Sequence, residues 1–510
     1  MNIAAILDKT AQRLPDKVAF YFDDRGTTYK ALQEMSESCA LGLQKSGVQQ
    51  GDRVAIFSPS SLEFVITWFA AVKLGAAAVP INIMLKARES RYILGNSEVN
   101  TVVVHPSQVA IVQSIRPDLK FLKNVILLER QPRPGFQCFE ELLQERPAGK
   151  MTCDCAPDDV ATLIYTSGTT GYPKGAMITQ ANFYSNVQDI ITALHLDEGM
   201  VRVSVTPLFH AMGLTVNMLA VVLLGATAII QAKLDFEEFL QANEKYRATM
   251  ISGAPALHYL LVNDPRIARY DLSTWKVAMS GSAPLPVEVL RRFEEKFKIP
   301  MVEAYGLTEV TTAATANPVF GVRKPGSVGI PLRGLQVKVF DESDREISAG
   351  QVGEIVIRGP AVMKGYYNNP EATAETLKGG WLHTGDLGKM DEDGYFFILD
   401  RKKDMIICSG YNVYPREIEE LLHTHPGVLE AAVVGVPDPK RGESPIAFVI
   451  RRPNPPVTEE ELIQFCRDNL AAYKAIKSVK FLEEFPRNPN RKVLKRELRE
   501  IVSVASAAKE

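Results

Sequence analysis

Length, composition and charge narrow the class of protein before any motif is considered. The chain has 510 residues, 46% of them hydrophobic and 23% charged, which is typical of a packed globular protein and excludes disordered, collagenous and fibrous classes. Its 58 basic and 60 acidic residues nearly cancel, so there is no large positive field of the kind that draws proteins to nucleic acids. At roughly 100 to 200 residues per domain, the length predicts about three structural units.

Three features of the sequence indicate the cellular compartment of the protein: its N-terminus, one long uncharged stretch and its cysteines. The first residues carry apolar side chains at helical spacing without a basic start or a continuous apolar core, so no secretory signal is expected. Residues 211–232 are uncharged, but polar and glycine residues interrupt them, which favours a buried helix, a stop at Gly225 and a buried strand over a membrane span. Six scattered cysteines without a CxxC pair predict reduced thiols and a cytoplasmic protein.

Up to about residue 330, short apolar runs alternate with helical patterns. The strand-like runs lie at 54–57, 101–104, 124–128, 160–164, 226–230 and 275–279. Strands that are buried on both faces read as continuous apolar runs, and they alternate with helices in parallel α/β folds. This part of the chain therefore predicts parallel sheets.

The pattern changes towards the C-terminus. Closely spaced strand-like segments lie at 336–340, 354–358 and 395–400, with turn residues between them, which predicts an antiparallel or barrel-like section. A compact α+β pattern follows, with helices at 415–424 and 459–469 and strands at 429–436 and 447–450. The charged segment 400–404 is the predicted boundary, which divides the chain into domains 1–402 and 403–510.

Residues 165–175 form a loop rich in glycine and hydroxyl side chains directly after the apolar run 160–164. Such residues allow backbone N–H groups to approach a polyphosphate closely, and Lys174 adds a positive charge. The loop is not a Walker A motif, because GxxxxGK[ST] is absent. The same composition is also typical of a flexible surface loop. The order of the residues therefore has to distinguish a phosphate-binding loop from a surface loop.

That order, Thr-Ser-Gly-Thr-Thr-Gly-Tyr-Pro-Lys-Gly over 166–175, resembles the signature of the adenylate-forming superfamily, which includes acyl-CoA and aryl-CoA synthetases, luciferases and peptide-synthetase adenylation domains. Further motifs of the family follow in the same order over nearly the whole chain. The resemblance implies an α/β fold with a large N-terminal domain of two parallel-type sheets and a small β-barrel section, followed by a mobile small α+β C-terminal domain. It also implies that the loop holds the β- and γ-phosphates of ATP through Thr166, Ser167, Gly168, Thr169, Thr170 and Lys174.

The segment Glu303-Ala304-Tyr305-Gly306-Leu307-Thr308-Glu309 resembles the family's second nucleotide motif. The resemblance places Glu303 and Ala304 beside the nucleotide, Tyr305 against adenine, Thr308 on the α-phosphate and Glu309 on Mg²⁺. This distribution is chemically sound, since an aromatic face stacks on a base and a carboxylate oxygen is a hard ligand that suits Mg²⁺.

Two segments resemble the family's ribose and hinge motifs. Asp386, in Thr-Gly-Asp, matches the aspartate that accepts both ribose hydroxyls, and Arg401 matches an arginine that also reaches the ribose. Lys403 matches the hinge about which the small domain turns between the two half-reactions.

Lys492 matches the family's catalytic lysine, whose ammonium neutralises charge between the reacting carboxylate and the α-phosphate. Arg491 stands where the family usually has glycine. A basic helix start is the alternative interpretation of this segment, because Lys495 and Arg496 follow closely.

The remaining assignments concern the acid and coenzyme A. His210 matches a gating aromatic position of the family, although a lone histidine in an apolar run is more often a core residue. Lys233, Ser409 and Gly410 match positions that contact coenzyme A. The predicted acyl pocket is lined by Phe209, His210, Met212, Gly281, Gly306 and Ala313.

Because this lining is small or apolar except for His210, a hydrophobic monocarboxylate is expected, with a medium- or long-chain fatty acid first and a benzoate- or coumarate-type acid as the alternative. The implied reaction is activation of the acid to acyl-AMP with ATP and Mg²⁺, then transfer to coenzyme A. An adenylating enzyme that loads a carrier protein and a non-catalytic nucleotide-binding protein are ranked lower. A fatty substrate is compatible with peripheral membrane contact, and a homodimer is left open.

Overall fold

Buried apolar strands and the helices between them build most of the molecule, as seen in a computed structural model that describes residues 2–129, 133–166, 172–487 and 493–507, with the backbone alone over 503–507. Hydroxyl side chains start several of the helices. Ser61 accepts a hydrogen bond from Phe64 N at 3.2 Å, and Thr179 pairs reciprocally with Asn182. These contacts satisfy N–H groups that the first helical turn leaves without partners.

The elements are numbered in chain order. The first part contains α1 (Ala5–Arg13), β1 (Val18–Phe22), β2 (Arg25–Thr28), α2 (Tyr29–Lys45), β3 (Arg53–Phe57), α3 (Leu62–Lys73), β4 (Ala77–Pro80), α4 (Ala87–Asn96), β5 (Thr101–Val104), α5 (Val109–Ile115), β6 (Asn124–Leu127), β7 (Gln137–Cys138) and α6 (Phe139–Leu143). The middle part contains β8 (Val160–Thr166), β9 (Lys174–Thr179), α7 (Gln180–Ala193), β10 (Val201–Ser204), a π-helix (Gly213–Leu219), α8 (Ala220–Leu224), β11 (Thr227–Ile230), α9 (Phe236–Lys245), β12 (Met250–Gly253), α10 (Pro255–Asn263), β13 (Val277–Ser280), α11 (Val287–Phe297), β14 (Met301–Tyr305), β15 (Thr315–Ala316) and β16 (Ile330–Pro331).

The last part contains β17 (Gln336–Phe340), β18 (Gly353–Arg358), α12 (Pro370–Thr376), β19 (Leu382–Met390), β20 (Phe396–Arg401), β21 (Ile406–Cys408), β22 (Tyr411–Val413), α13 (Pro415–His423), β23 (Val428–Asp438), β24 (Gly442–Arg451), α14 (Glu459–Asn469), β25 (Ser478–Phe481) and α15 (Lys495–Ala507). Short 3₁₀ helices lie at Pro106–Gln108, Arg116–Asp118, Pro265–Arg269, Thr308–Val310 and Lys378–Gly380.

Two large sheets form the N-terminal part. One has seven strands in the order β7-β6-β5-β3-β4-β8-β9, and the other has nine in the order β16-β15-β14-β13-β12-β10-β11-β1-β2. Most neighbours are parallel, and β9, β2, β15 and β16 are the antiparallel additions. One continuous apolar cluster joins residues of both sheets with α2, α3 and α7. The predicted pair of parallel-type sheets is confirmed.

A four-stranded antiparallel sheet, β17-β18-β19-β20, follows. On the outer side of β20, Phe396 forms a further antiparallel bridge with Gly329, next to β16. The antiparallel section expected after about residue 330 is confirmed. The C-terminal sheet has the order β22-β21-β24-β23, with β25 parallel to β24, and helices α13 and α14 share its apolar core. This is the predicted α+β unit.

The stretch 211–232 differs from its prediction in one respect. It forms a helix, a left-handed Gly225 at φ +76° and then β11, as expected, but seven of the helical residues, Gly213–Leu219, are a π-helix. Among the described residues no helix combines the length and apolar character that crossing a membrane requires.

Candidate active site

A cavity of about 690 Å³ opens where strands of the two large sheets and the four-stranded sheet meet. Ligands of open α/β sheets bind at the carboxyl ends of the strands, and β8, β13 and β14 all end at this cavity. The residues that line the cavity form a polar group and an apolar group. The polar residues include Thr166, Lys174, Thr308, Glu309, Tyr366 and Arg401, and the apolar ones include Ile190, Ala193, Leu194, Val216, Met279 and Leu332.

The glycine- and hydroxyl-rich loop connects β8 to β9 at the polar side. Thr166 ends β8, Lys174 begins β9, and both side chains line the cavity. The assignments to Ser167, Gly168, Thr169 and Thr170 lie outside the described residues. The Lys174 ammonium lies 5.1 Å from the centre of the Tyr366 ring, within the range of a cation–π contact at the cavity wall.

Glu309 lies on the short 3₁₀ helix that follows β14. Its Oε1 accepts a hydrogen bond from the Tyr366 hydroxyl at 2.7 Å and a longer one from Thr166 Oγ1 at 3.5 Å. Burial and the neighbouring Glu309 raise the pKa of Tyr366, so this hydroxyl stays a donor. No group of three potential ligands from His, Cys, Asp and Glu occurs in the described part of the chain. A single carboxylate fits Mg²⁺ that arrives with a polyphosphate, since such Mg²⁺ takes most of its ligands from phosphate and water.

Three side chains from β14, β19 and β20 meet at the side of the cavity. The Tyr305 hydroxyl donates to Asp386 Oδ2 at 2.7 Å, and Arg401 Nε lies 3.2 Å from Asp386 Oδ1. The β19–β20 register places Asp386 directly opposite Arg401. Burial, followed by the Asp386 charge, raises the pKa of Tyr305. Asp386 is 4% exposed and lies behind Tyr305 and Arg401, which themselves line the cavity.

Glu303, predicted beside the nucleotide, lies outside the cavity lining although its neighbour Ala304 is part of it. The Glu303 carboxyl is buried and its Oε2 has no hydrogen-bond partner in the described structure. Burial raises the pKa of Glu303 to about 7, and the nearby Arg416 guanidinium opposes that rise.

The apolar side of the cavity contains five of the six predicted acyl-pocket residues, His210, Met212, Gly281, Gly306 and Ala313. Phe209 is buried beside His210, with ring centres 4.8 Å apart, and does not line the cavity. A side chain at Gly306 would place its Cβ 1.9 Å from the Thr312 carbonyl oxygen, so glycine is required there. Burial lowers the pKa of His210 to about 4, and its Nε2 has no partner among the described residues. His210 is therefore neutral at pH 7.

The residues matched to the hinge and to coenzyme A lie apart from this cavity. Lys403 is exposed and follows Lys402, which does line the cavity. Lys233, Ser409 and Gly410 are exposed and do not line it. Ser409 and Gly410 form a left-handed turn, at φ +53° and +83°, between β21 and β22. Lys492 lies outside the described residues.

Sequence reasoning missed Tyr366 and Thr312, which both line the cavity. Tyr366 follows Gly365, whose φ of +145° turns the chain back beside β9. A glycine followed by two aromatic residues is a signal for a close turn, but nothing in it indicates a contact with Glu309. That contact joins residues 57 positions apart in the chain.

The comparisons with known proteins agree with this geometry. The AMP-binding enzyme family profile matches residues 7–367, and the AMP-binding enzyme C-terminal domain profile matches residues 417–492. A long-chain-fatty-acid–CoA ligase of Bacillus subtilis (strain 168) is 36% identical over 98% of this chain and 94% of its own length. A feruloyl-CoA synthase of Amycolatopsis sp. is 35% identical over 96% and 97%.

Among solved structures, an anthranilate CoA ligase in complex with anthranoyl-AMP superposes with a TM-score of 0.94 at 28% identity. That superposition covers 99% of this chain and 98% of the other.

Proposed function

From the premise that this chain belongs to the AMP-binding enzyme family, as an AMP-forming acid–thiol ligase that uses ATP, Mg²⁺ and coenzyme A, we propose that its substrate is a hydrophobic carboxylic acid of the medium- or long-chain fatty class. The observation that carries the proposal is the composition of the cavity. Helix α7, the π-helix and β13 contribute Ile190, Ala193, Val216 and Met279 to its wall. None of the described residues on these three elements that line the cavity is charged, so nothing there compensates a second carboxylate.

In the first half-reaction the acid's carboxylate oxygen attacks the α-phosphorus of ATP. A new P–O bond forms, the bond between the α- and β-phosphates breaks, and pyrophosphate leaves. Thr166, Lys174 and the loop 167–170 hold the β- and γ-phosphates, and Thr308 donates to the α-phosphate. Glu309 would hold Mg²⁺, which would supply positive charge to the phosphates when bound. Lys492 stabilises the charge that builds up between the two reacting groups.

The nucleoside is held by the trio of Tyr305, Asp386 and Arg401. Each Asp386 oxygen has one protein partner, the Tyr305 hydroxyl at Oδ2 and the Arg401 guanidinium in an ion pair at Oδ1, and a carboxylate offers about four lone-pair positions. One further position on each oxygen therefore remains for a ribose hydroxyl. The hydrogen bond to Asp386 also fixes the Tyr305 ring, whose face then packs on adenine.

In the second half-reaction the coenzyme A sulfur attacks the acyl carbonyl carbon, and AMP leaves as the carbon–oxygen bond to it breaks. The thiol proton is released. Domains 1–402 and 403–510 turn relative to each other about Lys403. This turn removes Lys492 and brings Ser409 and Gly410 to the cavity, while Lys233 contacts coenzyme A from the large domain. A neutral His210 adds no charge beside the acyl-adenylate, which fits a gating side chain.

A specific observation also favours a flat aromatic acid as a second candidate. Gly281 and Gly306 both line the acyl side, and a slot between glycines accommodates a planar ring. The feruloyl-CoA synthase is a relative of nearly the same identity as the fatty-acid ligase.

The deciding experiment measures pyrophosphate release with Mg·ATP and coenzyme A across straight-chain, aromatic and dicarboxylic acids. Straight-chain acids should give the highest kcat/KM, and Lys492→Ala should lower the rate with them by roughly 100-fold or more, as expected for a group that stabilises developing charge. Arg491→Ala is the matched control for loss of one positive charge in the same segment. Preference for aromatic acids would select the second candidate, and release with dicarboxylic acids alone would refute the proposal.

A further inference from the structure

Arg202 is a fully buried cation beneath the acyl side of the cavity. It lies on β10, flanked by Ala228 and Met250 on the neighbouring strands, and its side chain has no exposed surface. Within the described residues no carboxylate forms an ion pair with it, and burial lowers the pKa of its guanidinium to about 9. Burying a charge without an opposite charge is costly, so the hydrogen bonds that Arg202 makes need an explanation.

Those hydrogen bonds join a strand to the wall of the cavity. Arg202 Nη1 donates to the Val216 carbonyl oxygen at 3.0 Å, and Nη2 donates to Ser252 Oγ on β12. Val216 belongs to the π-helix and lines the cavity. The guanidinium is therefore a bridge between the sheet and the helix that forms part of the acyl wall.

The residues beside Val216 show that this helix is held at several successive points. Thr215 Oγ1 lies 2.6 Å from Thr312 Oγ1, and Asn217 Nδ2 donates to the Thr206 carbonyl oxygen at 3.4 Å. Both Thr312 and Thr206 line the cavity.

The start of the helix is equally constrained. A Cβ on Gly213 would lie 2.0 Å from the Pro207 carbonyl oxygen, so the helix presses against the loop that carries His210. A π-helical turn is rare and is frequently found at functional sites.

We propose that Arg202 is a positioning residue that holds the π-helix at Val216 and thereby sets the shape of the acyl cavity and the choice among acid substrates. The inference rests on the proposed function, because it concerns the same cavity. Without the Arg202 hydrogen bond, the Val216 carbonyl loses an outside donor and the helix relaxes towards α-helical geometry. That change rotates Val216 and shifts His210, while Thr166, Lys174 and Glu309 stay in place.

The test compares wild type with Arg202→Met, Arg202→Lys and Ser252→Ala. For each, kcat and KM are measured over straight-chain acids of increasing length and one aromatic acid, and the KM for ATP is measured in parallel. Lys73→Met is the matched control, since Lys73 is also a cation with no exposed surface but lies on α3 and pairs with Asp8.

Arg202→Met should change the ratio of kcat/KM between acids by about 10-fold or more, while the KM for ATP changes by less than about 3-fold. Arg202→Lys should shift the ratio less, because one ammonium reaches only one of the two acceptors. Ser252→Ala should also shift it less, because the Val216 bond is retained.

An equal loss of activity with every acid, or the same ratio change in Lys73→Met, would overturn the proposal. If Arg202→Met does not fold, an unchanged ratio in both Arg202→Lys and Ser252→Ala would overturn it as well. Failure of the proposed function is distinguishable, because the wild-type enzyme would then activate no hydrophobic acid.

Discussion

Asp386 and Glu303 are buried carboxyl groups near the same cavity, and they differ in the side chains that surround them. Asp386 has Arg401 at 3.2 Å and the Tyr305 hydroxyl at 2.7 Å, so its negative charge is balanced and its oxygens are oriented. Glu303 has one oxygen without a partner and a pKa raised to about 7. Asp386 is therefore suited to bind hydroxyl groups, whereas Glu303 is a titrating group at neutral pH.

Replacement of Glu303 by glutamine should change how stability depends on pH. The folded-state pKa of Glu303 is about 7, against an ordinary value of 4.5, so the native protein binds the extra proton more tightly than the unfolded chain does. The free energy of unfolding therefore falls as pH rises from about 4.5 to 7. By pH 8 this loss amounts to at most ~3 kcal/mol. Glu303→Gln, without this charge, should be more stable than wild type at pH 8 and similar at pH 5.

Urea unfolding at the two pH values measures the effect, and Glu295→Gln, at an exposed position, is the control. Equal differences between Glu303→Gln and wild type at both pH values would contradict the assignment of the raised pKa.

The residues of this site differ in how far sequence predicts them. Tyr305, Thr308 and Glu309 are adjacent in one motif, and the structure brings their side chains to one cavity. Tyr366 and Arg202 act through contacts with residues distant in the chain, Glu309 and Val216. No local pattern specifies a pairing of this kind, because it depends on how the sheets meet.

At the scale of elements, buried strands were the most predictable part. β5 and β17 have the predicted bounds. β5 is buried at all four positions, as expected for an apolar run covered on both faces, and β17 alternates polar and apolar residues, as expected for a strand with one covered face. The π-helix was not predictable, because its apolar residues suit any buried helix. Its geometry depends on Arg202 and on the close approach of Gly213 to Pro207.

Two basic side chains attach helix α15 to α13 and to the segment between β20 and β21. Lys495 Nζ lies 2.8 Å from Glu419 Oε1, and Arg499 Nη2 donates to Asp404 Oδ1 at 2.7 Å. Burial works to lower the pKa of Lys495, but Glu419 and Asp400 together raise it. Lys495 comes three residues after Lys492, so this attachment fixes one end of the segment that carries Lys492.

Lys495→Met should therefore lower both stability and acyl-AMP formation. The change leaves Glu419 without its cation, a loss of about 1–3 kcal/mol, and loosens the start of α15. Acyl-AMP formation should fall by roughly 10-fold, an effect typical of a misplaced catalytic group. Single-turnover pyrophosphate release and urea unfolding measure the two effects.

Arg496→Met is the matched control, because Arg496 is 85% exposed in its side chain and pairs with an exposed Glu500. A variant at Lys495 that is as active as the one at Arg496 would show that α15 does not position Lys492.

At the scale of the whole molecule, one cavity has to serve two reactions. In the proposed mechanism the acid, the α-phosphate and later the coenzyme A sulfur all need the same acyl carbon region, while the nucleoside stays bound to Tyr305 and Asp386. The proposed turn of the C-terminal unit solves this problem, because it exchanges the residues that face the cavity without disturbing the two large sheets. In the arrangement described here, Arg416 of α13 donates to Asp400 Oδ2 at 3.1 Å and to the Ile398 carbonyl at 2.6 Å, so the C-terminal unit is seated on β20.

A proline at Lys403 should separate the two half-reactions. Proline fixes φ near −65° and removes the N–H, and in the described structure the Lys403 amide donates no backbone hydrogen bond, so the seated arrangement loses no such contact. Acyl-AMP formation without coenzyme A should stay within about 3-fold of wild type, whereas acyl-CoA formation should fall by roughly 100-fold, because a lost conformational step removes the reaction that follows it.

Lys402→Ala and Lys403→Ala separate the loss of charge from the loss of backbone freedom, and both should retain the two activities. An equal fall in both half-reactions for Lys403→Pro would mean that the segment is needed for the seated arrangement itself, and full acyl-CoA formation would mean that the turn takes place at another residue.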